Sequence, residues 1–133
     1  MLSIIFIAFE GFFNSVMDTL DHHFSTSIFK NWNPYFWNPS LSWKQKYELP
    51  DWIPDAFTDG WHISKFLQII SFLIAVVMYA PITKFFGISL LNTTVDFLIL
   101  GVLRNTVLII FYTYILVEWN GQDNKRPKLS SIS

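Results

Sequence analysis

The chain has no cysteine, three histidines and five glycines in 133 residues, and only 14% of it is charged. Without cysteine there is no disulfide, no thiolate nucleophile and no thiolate metal site, and the redox compartment is left open. Nine Lys and Arg against ten Asp and Glu give a net charge of −1, so the basic footprint that nucleic-acid binding requires is missing. Also missing are a glycine-rich phosphate loop, a His-Glu-x-x-His zinc helix and a Gly-x-Ser-x-Gly nucleophile elbow. Asn92-Thr93-Thr94 matches a glycosylation acceptor, a pattern short enough to arise by chance.

What the chain has in abundance is apolar surface: 52% of residues are hydrophobic and 19% aromatic, more than one soluble domain of this size can hide. Residues 66 to 83 hold no charge, 97 to 117 hold only Arg104, and 1 to 17 hold only Glu10. A spanning helix needs about 20 mostly apolar residues, so these runs predict three transmembrane helices, at about 1–21, 62–83 and 90–119. A cleaved signal peptide is the competing reading of the first run; it is disfavoured because no basic residue precedes the run and Glu10 interrupts it. The expected fold is an all-α membrane protein, one three-span domain over 1–121 with a disordered basic tail at 122–133.

Lys30, Lys44 and Lys46 lie between the first two spans and Lys125, Arg126 and Lys128 follow the third, against Lys84 alone between the second and third. By the positive-inside rule the connector and C-terminus are cytoplasmic and the N-terminus faces outward, a multi-pass inner-membrane topology. The connector, 24–60, interleaves Trp32, Trp37, Trp43 and Trp52 with Pro34, Pro39, Pro50 and Pro54. Tryptophan favours the headgroup level and proline denies a continuous helix, so this stretch is expected to lie on the membrane. Asn33-Pro34 and Asn38-Pro39 read as successive turns, and 40–47 as a short interfacial helix.

All three histidines fall in two polar clusters at the ends of apolar runs, Asp18 to His23 and Thr58 to His62. On a helix Asn14, Asp18 and His22 share one face, and Asp59, His62 and Lys65 share another. Two such helices facing each other offer Asp18, His22, His23, Asp59 and His62 as ligands for zinc, manganese or iron, with Asp21 and Glu118 as possible supports. The expected catalytic set is Asp18, His22, Asp59, His62 and Lys65, with a metal activating water against a lipid phosphate or ester. The bland alternative has these groups wet at the helix ends, with Asp59 capping the second span. Lys44, Lys46, Lys65 and His62 around that helix start also offer a lipid-headgroup site, against a plain snorkelling role for the lysines.

Glu10 and Arg104 are intramembrane charges, each costing about 2.5–3.5 kcal/mol at mid-bilayer on insertion scales, so a structural ion pair between them is expected; a proton or substrate path is the alternative. Asp96 reads as a near-surface group needing no partner, and Asn105 and Gln68 as interhelical hydrogen-bonders.

The string Phe36-Trp37-Asn38-Pro39, Ser42-Trp43-Lys44, Lys46-Tyr47 and Thr58-Asp59-Gly60-Trp61-His62 resembles a pattern of small uncharacterised bacterial integral membrane proteins. The resemblance covers about residues 14–65 and implies a bacterial inner-membrane location, with no activity. Two functions follow from the residues: a metal-dependent lipid-handling enzyme, or a non-catalytic accessory or assembly subunit that docks on other membrane subunits. The substrate, the metal, the oligomeric state and the partner are not encoded in any motif.

Overall fold

The computed structural model describes residues 2–45, 47–50, 52–84 and 86–118, and those residues are helical apart from turns and one isolated bridge. Three helices are long and apolar enough to cross a membrane. The expected tail at 122–133, and Lys46, lie outside the described residues.

Helix α1, Leu2–His23, is the axis of the bundle. Its buried face includes Ser3, Ile7, Gly11, Ser15 and Thr19, one residue every four, so a narrow strip of mostly small side chains runs along it. Small residues let helix backbones approach where no hydrophobic effect drives them together. Two of the buried hydroxyls are satisfied locally, Ser15 donating to Phe12 O (2.6 Å) and Thr19 to Ser15 O (2.7 Å), whereas the buried Ser3 hydroxyl has no partner among the described residues.

From α1 the chain passes through tight turns at Phe24–Thr26 and Ile28–Asn31 into two short helices, α2 (Pro34–Trp37) and α3 (Pro39–Gln45). Each of the two Asn-Pro pairs opens one of them. Asn33 Oδ1 accepts from Tyr35 N and Asn38 Oδ1 from Ser40 N, while the following proline occupies the first helical position, where its missing N–H costs nothing.

Helix α4, Gly60–Val77, packs along α1 and buries Gly60, Ser64, Ser71 and Ala75. It ends at Val77, short of the expected 83. Pro81 lacks an N–H and disfavours helix at Ala80, so residues 79–84 run on as an irregular connection.

Helix α5, Ser89–Ile110, runs into a wider turn at Phe111–Ile115. It crosses α1 at Gly11, where an added Cβ would stand 2.5 Å from the Arg104 carbonyl oxygen. Helices α4 and α5 both lean on α1 and barely touch each other.

Two apolar clusters fill the bundle. Val16, Leu20, Phe29 and Leu116 close the His23 end, with Phe12, Trp37, Trp61 and Phe111 around them. Ile7, Ala75 and Leu100 lie toward the other end with Tyr79. After α5 the chain returns to the segment following α1: Ile28 N donates to Leu116 O (2.9 Å), Glu118 N to Thr26 O (2.6 Å), and Lys30 pairs with Glu118.

Candidate functional site

The polar groups fall into three places. At the His23 end Asp59 precedes α4 in extended backbone, and its carboxylate is used by that helix: Oδ1 accepts from His62 N (2.9 Å) and Oδ2 lies 2.7 Å from His62 Nδ1. Free N–H groups at a helix start attract such a carboxylate, and the sequence Asp-Gly-Trp-His places the imidazole within reach. Asp21 accepts from Trp61 Nε1 (2.9 Å), which ties the end of α1 to the start of α4. The His23 ring packs edge-on against Tyr112, His22 is exposed and Asp18 is half-buried.

The expected metal set of Asp18, His22, His23, Asp59 and His62 is not gathered at one point. Among the described residues no three His, Asp or Glu side chains form a group able to hold a metal ion. The physical reason is competition: Asp59 is engaged by its own helix N-terminus and Asp21 by an indole N–H, before any ion is considered. Lys65 and Lys44 of the expected headgroup site also point elsewhere. Lys65 Nζ donates to Gln68 Oε1 (3.1 Å), and Lys44 Nζ sits over the Trp43 ring at 5.6 Å.

Trp37 organises this end. It stacks on Phe29 (4.7 Å between centroids, 12°), meets Trp32 and Phe36 edge-on, and covers Gly60, whose added Cβ would fall 2.5 Å from Trp37 Cε3. A glycine immediately after a helix cap is the only sequence signal for that contact.

The second place is midway along α1 and α5. Arg104 Nε donates to Glu10 Oε2 (2.5 Å) and Arg104 Nη2 to Glu10 Oε1 (3.2 Å), a two-bonded ion pair. Gln68 Nε2 from α4 donates to the same carboxylate (2.7 Å) and reaches Asn14 Oδ1 at 3.3 Å. Glu10 is therefore held by both neighbouring helices, and the Gln68 amide extends the network to Lys65. The Glu10 side chain is 8% exposed and Arg104's is 32%.

The third place is Asp96, completely buried at the start of α5. Contrary to its expected partnerless position, it accepts from Tyr79 Oη (2.7 Å), Ile82 N (2.8 Å) and Thr83 N (2.8 Å). The connection that follows α4 frees those backbone donors, and a carboxylate about two helical turns into α5 takes them up. The Asp96 carboxylate, as acceptor of the Tyr79 hydroxyl proton, pushes the Tyr79 phenol above its ordinary pKa.

Between α4 and α5, floored by α1, lies a cavity of about 270 Å³. Ile7, Phe72, Ala75, Tyr79, Phe97 and Leu100 are among its walls, and Glu10 and Arg104 line it as well. Tyr79 and Phe97 stack at 5.4 Å and 14°. Comparison of the chain with family models, with curated proteins and with solved structures gives no match, so its function rests on this geometry.

Proposed function

We propose that the chain is a non-catalytic accessory subunit of a membrane complex, docking a partner's transmembrane helix on the outer face of α5. The observation that supports this is the mismatch between burial and polarity on α5. Only 11% of its most apolar window is buried inside the protein, and its outward face carries Leu98 (65% exposed), Val102 (67%), Asn105, Thr106 and Ile109. Apolar members of that face are content in lipid. An amide in the middle of a span is not, because hydrocarbon offers its N–H groups no acceptor. Asn105 Oδ1 accepts from Arg104 Nη1 (3.0 Å), and its Nδ2 has no partner among the described residues, so a polar side chain on a neighbouring helix is the natural complement.

In this reading the connector and C-terminus face the cytoplasm, as Lys30, Lys44 and Lys46 against Lys84 imply, and the aromatic connector rests on that surface. The hydrolytic reading, with Asp18, His22, Asp59, His62 and Lys65 as its machinery, lacks a comparable observation.

Because the chain has no cysteine, Asn105→Cys supplies a single reporter thiol. In mildly extracted native membranes the wild-type protein should migrate in a complex well above its 15.6 kDa mass, Asn105→Leu should release it, and a photo-activated crosslinker carried on the thiol of Asn105→Cys should link it to one partner. Monomeric wild type would overturn the reading, and a linked species of twice the chain mass would replace the partner by a second copy. Stoichiometric zinc, manganese or iron that is lost in His22→Ala or His62→Ala would replace it by the hydrolytic one.

A further inference from the structure

We infer that the cavity between α4 and α5 is a binding site for a neutral, lipophilic carbonyl compound dissolved in the bilayer, its carbonyl oxygen held by Arg104. Four observations combine. The cavity, at about 270 Å³, is just below the range of about 300–1,000 Å³ typical of small-molecule sites. It extends from Phe72 on α4 to Tyr79 just beyond that helix, and from Phe97 to Arg104 on α5, about 10 Å at the helical rise of α5, which suits a ring or a short length of chain. Phe72, Tyr79 and Phe97 give it aromatic walls, and their flat faces favour a flat guest.

The polar end decides the chemistry. A guanidinium has five N–H donors. Arg104 uses Nε and one Nη2 hydrogen on Glu10 and one Nη1 hydrogen on Asn105, which leaves two donors without a partner among the described residues. Arg104 lines the cavity and is the more exposed member of its ion pair. Donors left bare in hydrocarbon are costly, and walls this apolar hold water poorly, so a guest's carbonyl oxygen is the acceptor they lack.

The charge of the guest follows from Glu10. Arg104 is already neutralised by a carboxylate bonded through two oxygens. An anionic guest would add an uncompensated charge in a low-dielectric site, whereas a ketone, quinone or ester carbonyl satisfies the donors without one. Entry is lateral, from the lipid, because α4 and α5 barely touch above the cavity floor.

Gly101 makes the site testable without breaking the fold. It lines the cavity, and an added Cβ there meets nothing within 4 Å, so Gly101→Leu fills the space and replaces glycine by a better helix former. The experiment measures equilibrium binding to the full chain in lipid nanodiscs. The probes are a decyl-substituted benzoquinone, methyl palmitate and, at alkaline pH, palmitate anion.

Saturable binding of either neutral probe is expected, with the stronger one identifying the source as ring or acyl carbonyl. Gly101→Leu should abolish it while leaving thermal stability intact, and Arg104→Lys, which keeps the charge and loses the planar fork, should weaken it about tenfold. Absence of saturable binding by both neutral probes, equal binding to Gly101→Leu, or tighter binding of palmitate anion would each overturn the inference. The subunit reading uses a different face of α5, and because the binding probes and Gly101→Leu leave Asn105 untouched, failure here is distinguishable from failure of that reading.

Discussion

At the scale of single residues the protein depends on a few places where one atom more or less is decisive. Glu10 and Arg104 bond each other through two oxygens, with Gln68 on the same carboxylate. Losing one partner of such a pair strands a charge midway along helices long and apolar enough to cross a membrane. Arg104→Leu alone is expected to cost about 3–5 kcal/mol, and the double change with Glu10→Leu less than that, measured by denaturant unfolding in mild detergent. Additive losses would show that the two charges do not share their energy. Gly11→Ala tests steric closeness: its methyl would reach within 2.5 Å of backbone, which cannot swing away as a side chain would. A loss of about 1–3 kcal/mol is expected, with α5 displaced from α1. The sequence carries a signal for the pairing of Glu10 with Arg104, since each is the sole charge in its apolar run. It carries none for Gly11, because the need for glycine arises only where two particular helices cross.

At the scale of elements, the connection from α4 to α5 is held by the Asp96 carboxylate together with Asn92, which bonds Phe86 through its amide and Thr83 through its carbonyl. Asp96→Ala would strand the Tyr79 hydroxyl and two backbone N–H groups, at about 1–3 kcal/mol for each buried donor left unmet. Tyr79→Phe removes only the hydroxyl and should cost a fraction of that. The raised Tyr79 pKa fixes the sign of a pH effect: the folded state holds this proton more tightly than the unfolded chain does. The contribution is complete below the ordinary value of 10.0 and is lost as pH rises beyond it, so alkaline unfolding should be blunted in Tyr79→Phe. This latch was illegible from sequence because its donors are backbone groups, and the chain shows where backbone N–H groups are orphaned only after α4 has ended at Val77. The Asp and His clusters misled in the opposite direction. Spacing along α1 and α4 does put like residues on one face, but a helix start claims the nearest carboxylate first, as Asp59 shows with His62. Composition did reveal the three long apolar helices, because their length and lack of charge are local properties.

At the scale of the whole molecule, the proposed orientation rests on the uneven distribution of the lysines. A reporter active only on the outer side, fused after Ser133, should be silent, and strong activity would invert the topology and put the Trp37 and His62 end outside. The bundle is open on one flank, since α4 and α5 each lean on α1 and barely touch each other. Its other end is closed by the return of Leu116, Val117 and Glu118 onto Thr26, Ser27 and Ile28, a junction that links residues about ninety positions apart. That junction has a consequence for biogenesis. A chain emerging from the ribosome can insert α1 and pair it with α4 early, but the turns after α1 keep their N–H of Ile28 and carbonyl of Thr26 unpaired until α5 has been made. The segment beside the first helix is thus finished last, and a chain arrested before Leu116 presents those groups to whatever quality-control machinery inspects the membrane surface.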